Sequence, residues 1–293
     1  MNKKIIAIVT ALVVSGGVLM GTAYANASGL SGYESYKTAI KDTANLKNET
    51  VGLTLSVKDN GASLVDVTSN IKVSSATNAM SQATTVKSSK GSETFTTASQ
   101  AGKSISKSST SEIYLVNENN HMNISKKNEK MNPQMIKSVE TIMDILAGNM
   151  KDGVAVSDNT DGTKKVTIKL SENQIAPLVN AVASIAMAKH NDEPMNNEKA
   201  KNLDLKNMIP QFESGIKVVS VEVTGDINKD NIISNQVAKI ALSGVDAKGV
   251  THVVTINADL NLSNINSTKP DTIDLTGKQV KTITNDFKER GRN

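Results

Sequence analysis

The feature that most constrains the fold is a run of alternating apolar and polar residues near the C-terminus. Between Val250 and Leu262 every second residue is apolar except His252, and most of the residues between them are Thr, Asn or Asp. Successive side chains of a β-strand point to opposite sides of the sheet, so a period of two predicts a strand with one buried face. We therefore expect a sheet with one apolar and one polar face.

The N-terminal part of the chain repeats this alternation. Residues 53–57 and 65–73 flank the turn sequence KDNG, in which Asn60 and Gly61 tolerate the positive φ of a tight hairpin. The Ser- and Thr-rich segment 74–111 predicts long antiparallel strands with one water-facing side, because threonine favours strands. A disordered linker is the alternative for this segment.

The middle of the chain changes to a helical period. Asn132 precedes Pro133 as an N-cap, and an apolar stripe follows as far as Met150. A capping box at 171–174 opens a second helix that reaches Ile185. Both helices are predicted to bury one side.

Further elements complete the predicted architecture. An amphipathic helix is predicted over residues 33–44, and a hairpin that turns at 158–162 lies between the two middle helices. Strands, then helices, then strands indicate the α+β class. We predict a large curved, mostly antiparallel sheet, a half-barrel, with helices packed on its concave face.

The first 25 residues have the pattern of a secretory signal peptide. Lys3 and Lys4 precede an apolar run that ends at Met20, and small residues follow, with cleavage predicted after Ala25 or, alternatively, after Ala27. The run is shorter than the roughly 20 residues of a spanning helix, so no stable membrane span is expected after processing. The mature chain is predicted to be secreted or held in the cell envelope.

The remainder, residues 26–293, is predicted to form a single α+β domain. Its parts are strand-rich 50–127, a helical middle 132–210, strand-rich 216–264 and a C-terminal tail 265–293. The chain has no cysteine, so an exported form has no disulfides and depends on a core for its stability.

Composition argues against several classes of partner. The formal net charge is +4, of which Lys3 and Lys4 of the signal peptide contribute two, and aromatic residues make up 2% with no Trp. A nearly neutral chain with few stacking side chains is a poor binder of single-stranded nucleic acid or polysaccharide. No nucleic-acid partner is expected.

The order of elements resembles that of the bacterial lipoprotein-carrier superfamily. The segments GYESYKTAIKDT (32–43) and TKPDTIDLTGKQV (268–280) also look like the start and end of uncharacterised secreted proteins of Gram-positive bacteria. The superfamily resemblance implies an open curved sheet around helices, with an apolar cavity that holds a lipid. Many members carry a lipid-modified cysteine, which this chain lacks, so no lipid anchor is implied.

The stretch TGDINKDNIISN, residues 224–235, begins like a calcium loop because its acidic and amide residues alternate. Counted from Asp226, a helix-loop-helix calcium site needs Gly at the sixth position and a carboxylate at the twelfth, where this chain has Asn231 and Val237. Strand-like residues flank the stretch. We predict a hairpin tip and no metal site.

The histidines do not predict catalysis. His121, His190 and His252 are far apart in the sequence, no cysteine is available, and no G-x-S-x-G turn is present. A triad assembled in space is left open. His252 on the apolar side of its strand is more typical of a structural histidine. We predict no enzyme activity and no cofactor.

Methionine is concentrated in the predicted helical middle, with eight residues between Met122 and Met208. A Met-rich helical face adapts to varied apolar ligands, although such side chains more often fill an irregular core. A soft-metal site at His121 and Met122, or at Met187 and His190, lacks supporting spacing. The predicted ligand-binding residues are Met135, Val139, Ile142, Met143, Val182 and Ile185.

The function predicted from these patterns is that of a secreted, non-enzymatic cell-envelope protein. Its expected partner is an apolar small molecule or lipid, bound between the sheet and the helices. The alternative is a structural or interaction protein of the cell wall or extracellular matrix. In that case the strands of 74–111 provide a docking surface for a cell-wall or envelope partner.

Overall fold

The computed structural model describes residues 32–118, 154–170 and 210–283. In these residues it contains one helix, α1 (Gly32–Ala44), and twelve strands. The strands are β1 (Asn48–Asp59), β2 (Ala62–Ser74), β3 (Ala79–Ser88), β4 (Gly91–Gln100), β5 (Lys103–Ser108), β6 (Ile113–Asn117), β7 (Val154–Asp158), β8 (Lys164–Lys169), β9 (Ser214–Ile227), β10 (Ile233–Val245), β11 (Thr251–Ser263) and β12 (Gln279–Thr282). All twelve belong to one sheet.

The sheet consists of two meanders that meet at its centre. Strands β1 to β6 follow one another outwards, and β7 to β11 return from the other edge, which gives the order β12-β6-β5-β4-β3-β2-β1-β11-β10-β9-β8-β7. Neighbours are antiparallel, except that β12 pairs with β6 in parallel. The central pair, β1 with β11, therefore joins strands from opposite ends of the chain.

The sheet has one apolar and one polar face, as the alternation predicts. Directly paired residues of neighbouring strands share a face, and successive residues alternate between faces. The face that carries Leu55 and Val67 is called the apolar face, and the face that carries Thr54 and Thr68 is called the polar face. Burial of each large apolar side chain contributes about 1.5–3 kcal/mol. The main buried cluster comprises Leu55, Val57, Val65, Val67, Val86, Phe212, Ala238, Leu242, Val254, Ile256 and Ala258.

Helix α1 packs on the apolar face beside the β9–β10 hairpin. Its buried side includes Tyr36 and Ala39, three residues apart. Tyr36 lies over Gly225, where an added Cβ would be 4.0 Å from the ring, and desolvation raises the pKa of its hydroxyl. Thr43 Oγ1 donates to the Ala39 carbonyl (2.6 Å) and accepts from the Ile233 N–H (2.8 Å). The helix is thus fixed to β10 by a hydrogen bond as well as by apolar contact.

A segment that connects β11 with β12 crosses the polar face. This segment, residues 264–278, is called the strap. Asn48 at the start of β1 uses both ends of its amide, because Nδ2 donates to the Thr268 carbonyl (2.9 Å) and Oδ1 accepts from the Thr268 N–H (2.7 Å). Gln100 at the end of β4 binds Ile273 in the same way, at 2.9 and 2.7 Å. Each side-chain amide thus pairs with both the N–H and the carbonyl of one strap residue, as the backbone of a neighbouring strand would.

Further polar contacts hold the strap between these two amides. The hydroxyl oxygens of Thr50 and Thr268 are 2.8 Å apart, and Lys72 forms an ion pair with Asp271 at 2.7 Å. Ser81 Oγ accepts from the Asp271 N–H at 2.9 Å. Because Thr50, Lys72 and Ser81 are consecutive cross-strand neighbours, the strap follows one row of the polar face.

This row continues across the neighbouring strands as a buried apolar strip. Ala98 pairs with Ser81, Ile105 pairs with Ala98, and Val116 pairs with Ile105. The three apolar side chains are 1%, 2% and 3% exposed. The polar face is therefore closed along one row and open to water at Thr54 and Thr68.

The predicted α+β class, with helices packed on a concave face, is wrong. The described part of the chain is mostly β and contains a large open sheet but no layer of helices on it. The prediction failed because an apolar stripe shows that a helix buries one side, but not what that side packs against. The stripes over 133–150 and 171–185 lie outside the described residues. Within the described ranges, no helix is long and apolar enough to cross a membrane.

The main strand predictions are confirmed. Strands β1 and β2 are joined at Asn60 and Gly61, whose φ angles are 48° and 87°. The segment 74–111 is not a linker, since it forms β3, β4 and β5. The hairpin that turns at 158–162 is also present as β7 and β8. Strand β12 in the tail was not predicted, because four residues are too few to show a period.

Candidate functional site

The predicted ligand-binding residues lie outside the described residues, in the segments 119–153 and 171–209. His121 and His190 lie there too, so the soft-metal alternatives also stay untested predictions. The six pocket residues are Met135, Val139, Ile142, Met143, Val182 and Ile185.

The stretch 224–235 forms the tip of the β9–β10 hairpin, as predicted. Asn228 Oδ1 accepts from the N–H groups of Asp230 (3.0 Å) and Ile232 (2.9 Å), and Asn231 has a φ of 60°. These are turn interactions for which asparagine is well suited. Among the residues of the described ranges, no group of three or more His, Asp or Glu side chains converges as a metal site.

His252 lies at the start of β11 between two carboxylates. Its Nδ1 is 2.8 Å from Asp59 Oδ2 at the end of β1, and its Nε2 is 3.4 Å from Asp246 Oδ2 in the β10–β11 turn. The His252 side chain is 15% exposed. The Phe212 ring lies 6.2 Å from the imidazole, centroid to centroid. His252 therefore links the tips of two adjacent hairpins beneath an aromatic ring.

The carboxylates favour the charged form of His252. The hydrogen bond with Asp59 raises the pKa of His252, and Asp246 raises it further. Backbone N–H groups of Val250 and Lys248 hold the pKa of Asp246 low. Both ring nitrogens face carboxylates, Nδ1 in a hydrogen bond with Asp59 and Nε2 at ion-pair distance from Asp246. The arrangement is that of a structural ion network.

This network predicts a pH-dependent stability. The raised pKa of His252 means that its contribution is complete below the unfolded pKa of about 6.5 and is lost as the pH rises through the folded pKa. We expect the wild type to have a higher free energy of unfolding than His252→Asn in urea denaturation, and this difference should shrink as the pH rises above about 6.5. Asp259→Asn, on the polar face, should keep the wild-type profile. Parallel profiles for wild type and His252→Asn would refute this role.

A row of apolar residues on the apolar face ends in a glutamate. The row crosses eight neighbouring strands, and its members are direct cross-strand partners. In order they are Ile168, Val223, Ala238, Ala258, Leu55, Val67, Val86 and Glu93. Glu93 thus occupies the next position of a row that is apolar up to that point.

Glu93 is a buried carboxylate whose partners are hydroxyl groups. Its exposed fraction is 6%. Ser108 Oγ donates a short hydrogen bond to Glu93 Oε1, and Thr110 Oγ1 donates to the same atom at 2.9 Å. No Lys, Arg or His of the described ranges lies within 4.0 Å of this carboxylate. Burial without a counter-charge is unfavourable, so this position is a candidate for binding a complementary group.

The apolar face around Glu93 is less completely buried than its centre. Leu55 and Val57 are 0% exposed, whereas Thr84 on β3 and Phe95 on β4, which form the cross-strand pair next to Val86 and Glu93, are half-buried. This contact region consists of Thr84, Glu93 and Phe95, which the strand register places close together on one face. It combines a half-buried aromatic ring with one buried carboxylate.

Comparison with known proteins assigns no family. No protein-family model matches the sequence, and no curated protein does. A solved structure, a β-barrel-like protein of a domain of unknown function from Brucella abortus, matches 74% of this chain and 98% of that chain, at 8% identity and a TM-score of 0.15. A similarity this low does not establish a shared fold. The resemblance to the lipoprotein-carrier superfamily gains no support from it.

Sequence analysis did not single out Glu93, although a signal was present. Ser88 pairs with Gly91 across a two-residue hairpin loop, and Gly91 has a φ of 125°, which glycine tolerates. Counting outwards from this loop pairs Val86 with Glu93. The alternation was hard to interpret there because hydroxyl side chains occupy both faces of β3 and β4.

Proposed function

We propose that this chain is an exported, non-enzymatic protein of the cell envelope that binds an apolar or amphipathic small molecule, such as a lipid, at the contact region. One observation carries the proposal. Glu93 is buried at the end of an apolar row, next to the half-buried pair Thr84 and Phe95 on the same face. Export is inferred from the signal-peptide pattern of residues 1–25.

The exposure of the side chains supports binding at the contact region rather than at the centre of the sheet. An apolar ligand gains roughly 25 cal/mol for each Å² of apolar surface removed from water. Phe95 still has such surface to lose, whereas Leu55 has none. A few polar groups among apolar ones orient a ligand, and Glu93 and Thr84 would do so here. The engagement of His252 by two carboxylates supports binding rather than catalysis.

The proposal predicts that an apolar molecule accompanies or enters the protein. Mass spectrometry of a solvent extract detects a retained molecule, and titration with a dansyl-labelled alkyl alcohol measures binding. We expect Phe95→Asp to weaken binding at least about tenfold, because it removes apolar area and adds a charge beside Glu93. Thr94→Asp makes the same change in charge on the polar face and should bind like the wild type. An empty extract together with no probe binding would refute the proposal.

The alternative, a structural or interaction protein, is favoured by a specific feature of the polar face. Thr54, Thr68, Thr85 and Thr94 are consecutive cross-strand neighbours and form a row across four strands. Thr54 and Thr68 are exposed. Such a row offers hydroxyl groups in fixed register to a cell-wall or envelope partner. This alternative is tested by measuring whether isolated cell walls retain the purified protein. Protein that elutes from the cell walls without retention counts against it.

A further inference from the structure

Glu93 indicates which chemical group a ligand presents to the contact region. We propose that the ligand carries a cationic nitrogen, an amine or ammonium, that binds the Glu93 carboxylate. This inference rests on the proposed function and adds the charge of the ligand's head group. It follows from the partners, the burial and the neighbours of one side chain.

The hydrogen-bond partners of Glu93 are hydroxyl groups and carry no charge. In the described part of the chain both hydroxyl donors, Ser108 and Thr110, bond to the same oxygen, Oε1. Hydroxyl groups supply protons but do not offset a negative charge. A cation would supply a charge-assisted hydrogen bond, and such bonds are stronger than neutral ones. An anionic head group would instead meet a like charge.

The number and kind of oxygen atoms favour an ammonium over a metal ion. Ca²⁺ takes six to eight oxygen ligands and Mg²⁺ requires a near-octahedral set. Glu93, Ser108 and Thr110 offer one carboxylate and two hydroxyls. An ammonium needs at most three acceptors, which the two Glu93 oxygens and Thr110 Oγ1 can provide. A hydroxyl that donates its proton keeps lone pairs with which to accept.

The surroundings of Glu93 give a ligand both access and apolar contact. Thr110 is exposed and Glu93 is buried, so the hydrogen-bonded group extends from the surface to the carboxylate. Phe95 lies two residues further along β4 on the same face and is half-buried. Its ring provides apolar and cation–π contact for a substituted nitrogen. Thr84, the cross-strand partner of Phe95, is half-buried on the same face.

Three probes of equal length test the inference. They are dansyl-labelled alkyl chains that end in an ammonium, a hydroxyl or a carboxylate group. For the wild type we expect the ammonium probe to bind about tenfold more tightly than the hydroxyl probe, and the carboxylate probe to bind most weakly. In Glu93→Gln the ammonium and hydroxyl probes should bind equally. Glu222→Gln, an exposed substitution on the polar face, should preserve the wild-type preference.

The hydroxyl probe separates the possible failures. Its unchanged binding to Glu93→Gln shows that the variant is folded and that the contact region is intact. If the wild type binds the ammonium and hydroxyl probes equally, the cationic head group is wrong while the proposed function stands. If Glu93→Gln retains the preference for the ammonium probe, the inference is also wrong. If no probe binds to the wild type, the proposed function and this inference both fail.

Discussion

Gly244→Ala is expected to destabilise the fold more than the same change at Gly52 or Gly225, the other described strand glycines without a positive φ. A Cβ on Gly244 would lie 2.6 Å from Cγ and 2.7 Å from Cδ2 of Phe212, whose ring is 1% exposed. The ring cannot move aside without disturbing the main cluster, to which it belongs. Overpacking of this kind costs about 1–3 kcal/mol, measurable as a lower urea midpoint with an unchanged slope.

Gly52→Ala is the matched control for this prediction. Gly52 is also in a central strand, but the nearest atom to its added Cβ, the Asn261 carbonyl oxygen, is 3.8 Å away. Its effect should stay within about 0.5 kcal/mol. In the double variant Phe212→Leu with Gly244→Ala, the smaller side chain should make the total loss less than the sum of the two. A urea midpoint for Gly244→Ala equal to that of the wild type would contradict the steric explanation.

Loss of the two amides that hold the strap is the second large effect we expect. Asn48→Ala and Gln100→Ala each remove two hydrogen bonds to the backbone of one strap residue, Thr268 or Ile273. At about 0.5–1.5 kcal/mol for each hydrogen bond, either variant should lower the free energy of unfolding by about 1–3 kcal/mol. The double variant should lose roughly the sum, because the two sites share no partner.

Limited proteolysis distinguishes a released strap from a general loss of stability. Cleavage within residues 264–278 should become faster in both amide variants before the remainder of the sheet is cut. Asn70→Ala removes an exposed amide from the polar face of β2 and should change neither the urea midpoint nor the cleavage pattern. If Asn48→Ala and Gln100→Ala behave like Asn70→Ala, other contacts hold the strap.

The sequence predicted the strands well because their signal is local. The alternation of Leu53, Leu55 and Val57 reports which side of β1 is buried, and Asn60 with Gly61 reports the turn. The same reasoning correctly interpreted 224–235 as a hairpin tip, since Asn231 and Val237 stand at the sixth and twelfth positions, where a calcium loop needs Gly and a carboxylate. His252 likewise proved to be part of an ion network on the apolar face, although its partner Asp59 is distant in sequence.

The strap and the contact region could not be predicted in the same way because they depend on distant partners. The bonds of Asn48 with Thr268 span almost the whole described chain, and no local period reports them. The role of Glu93 emerges only when four hairpins are placed side by side and its row is followed across the sheet. The wrong prediction of helices packed on the sheet has a similar cause. An amphipathic pattern shows which side of a helix is buried, but not which element that side packs against.

The position of β1 beside β11 has a consequence for synthesis. Ribosomes deliver the chain from its N-terminus, so β1 can pair with β2 early but must wait for β11 until most of the chain has been made. During that time one edge of β1 has unpaired backbone groups, and the leucines and valines of β1 are not yet buried by β11. Such an exposed strand edge is prone to pair with other chains. We therefore expect slow maturation, with helper proteins shielding the nascent first half.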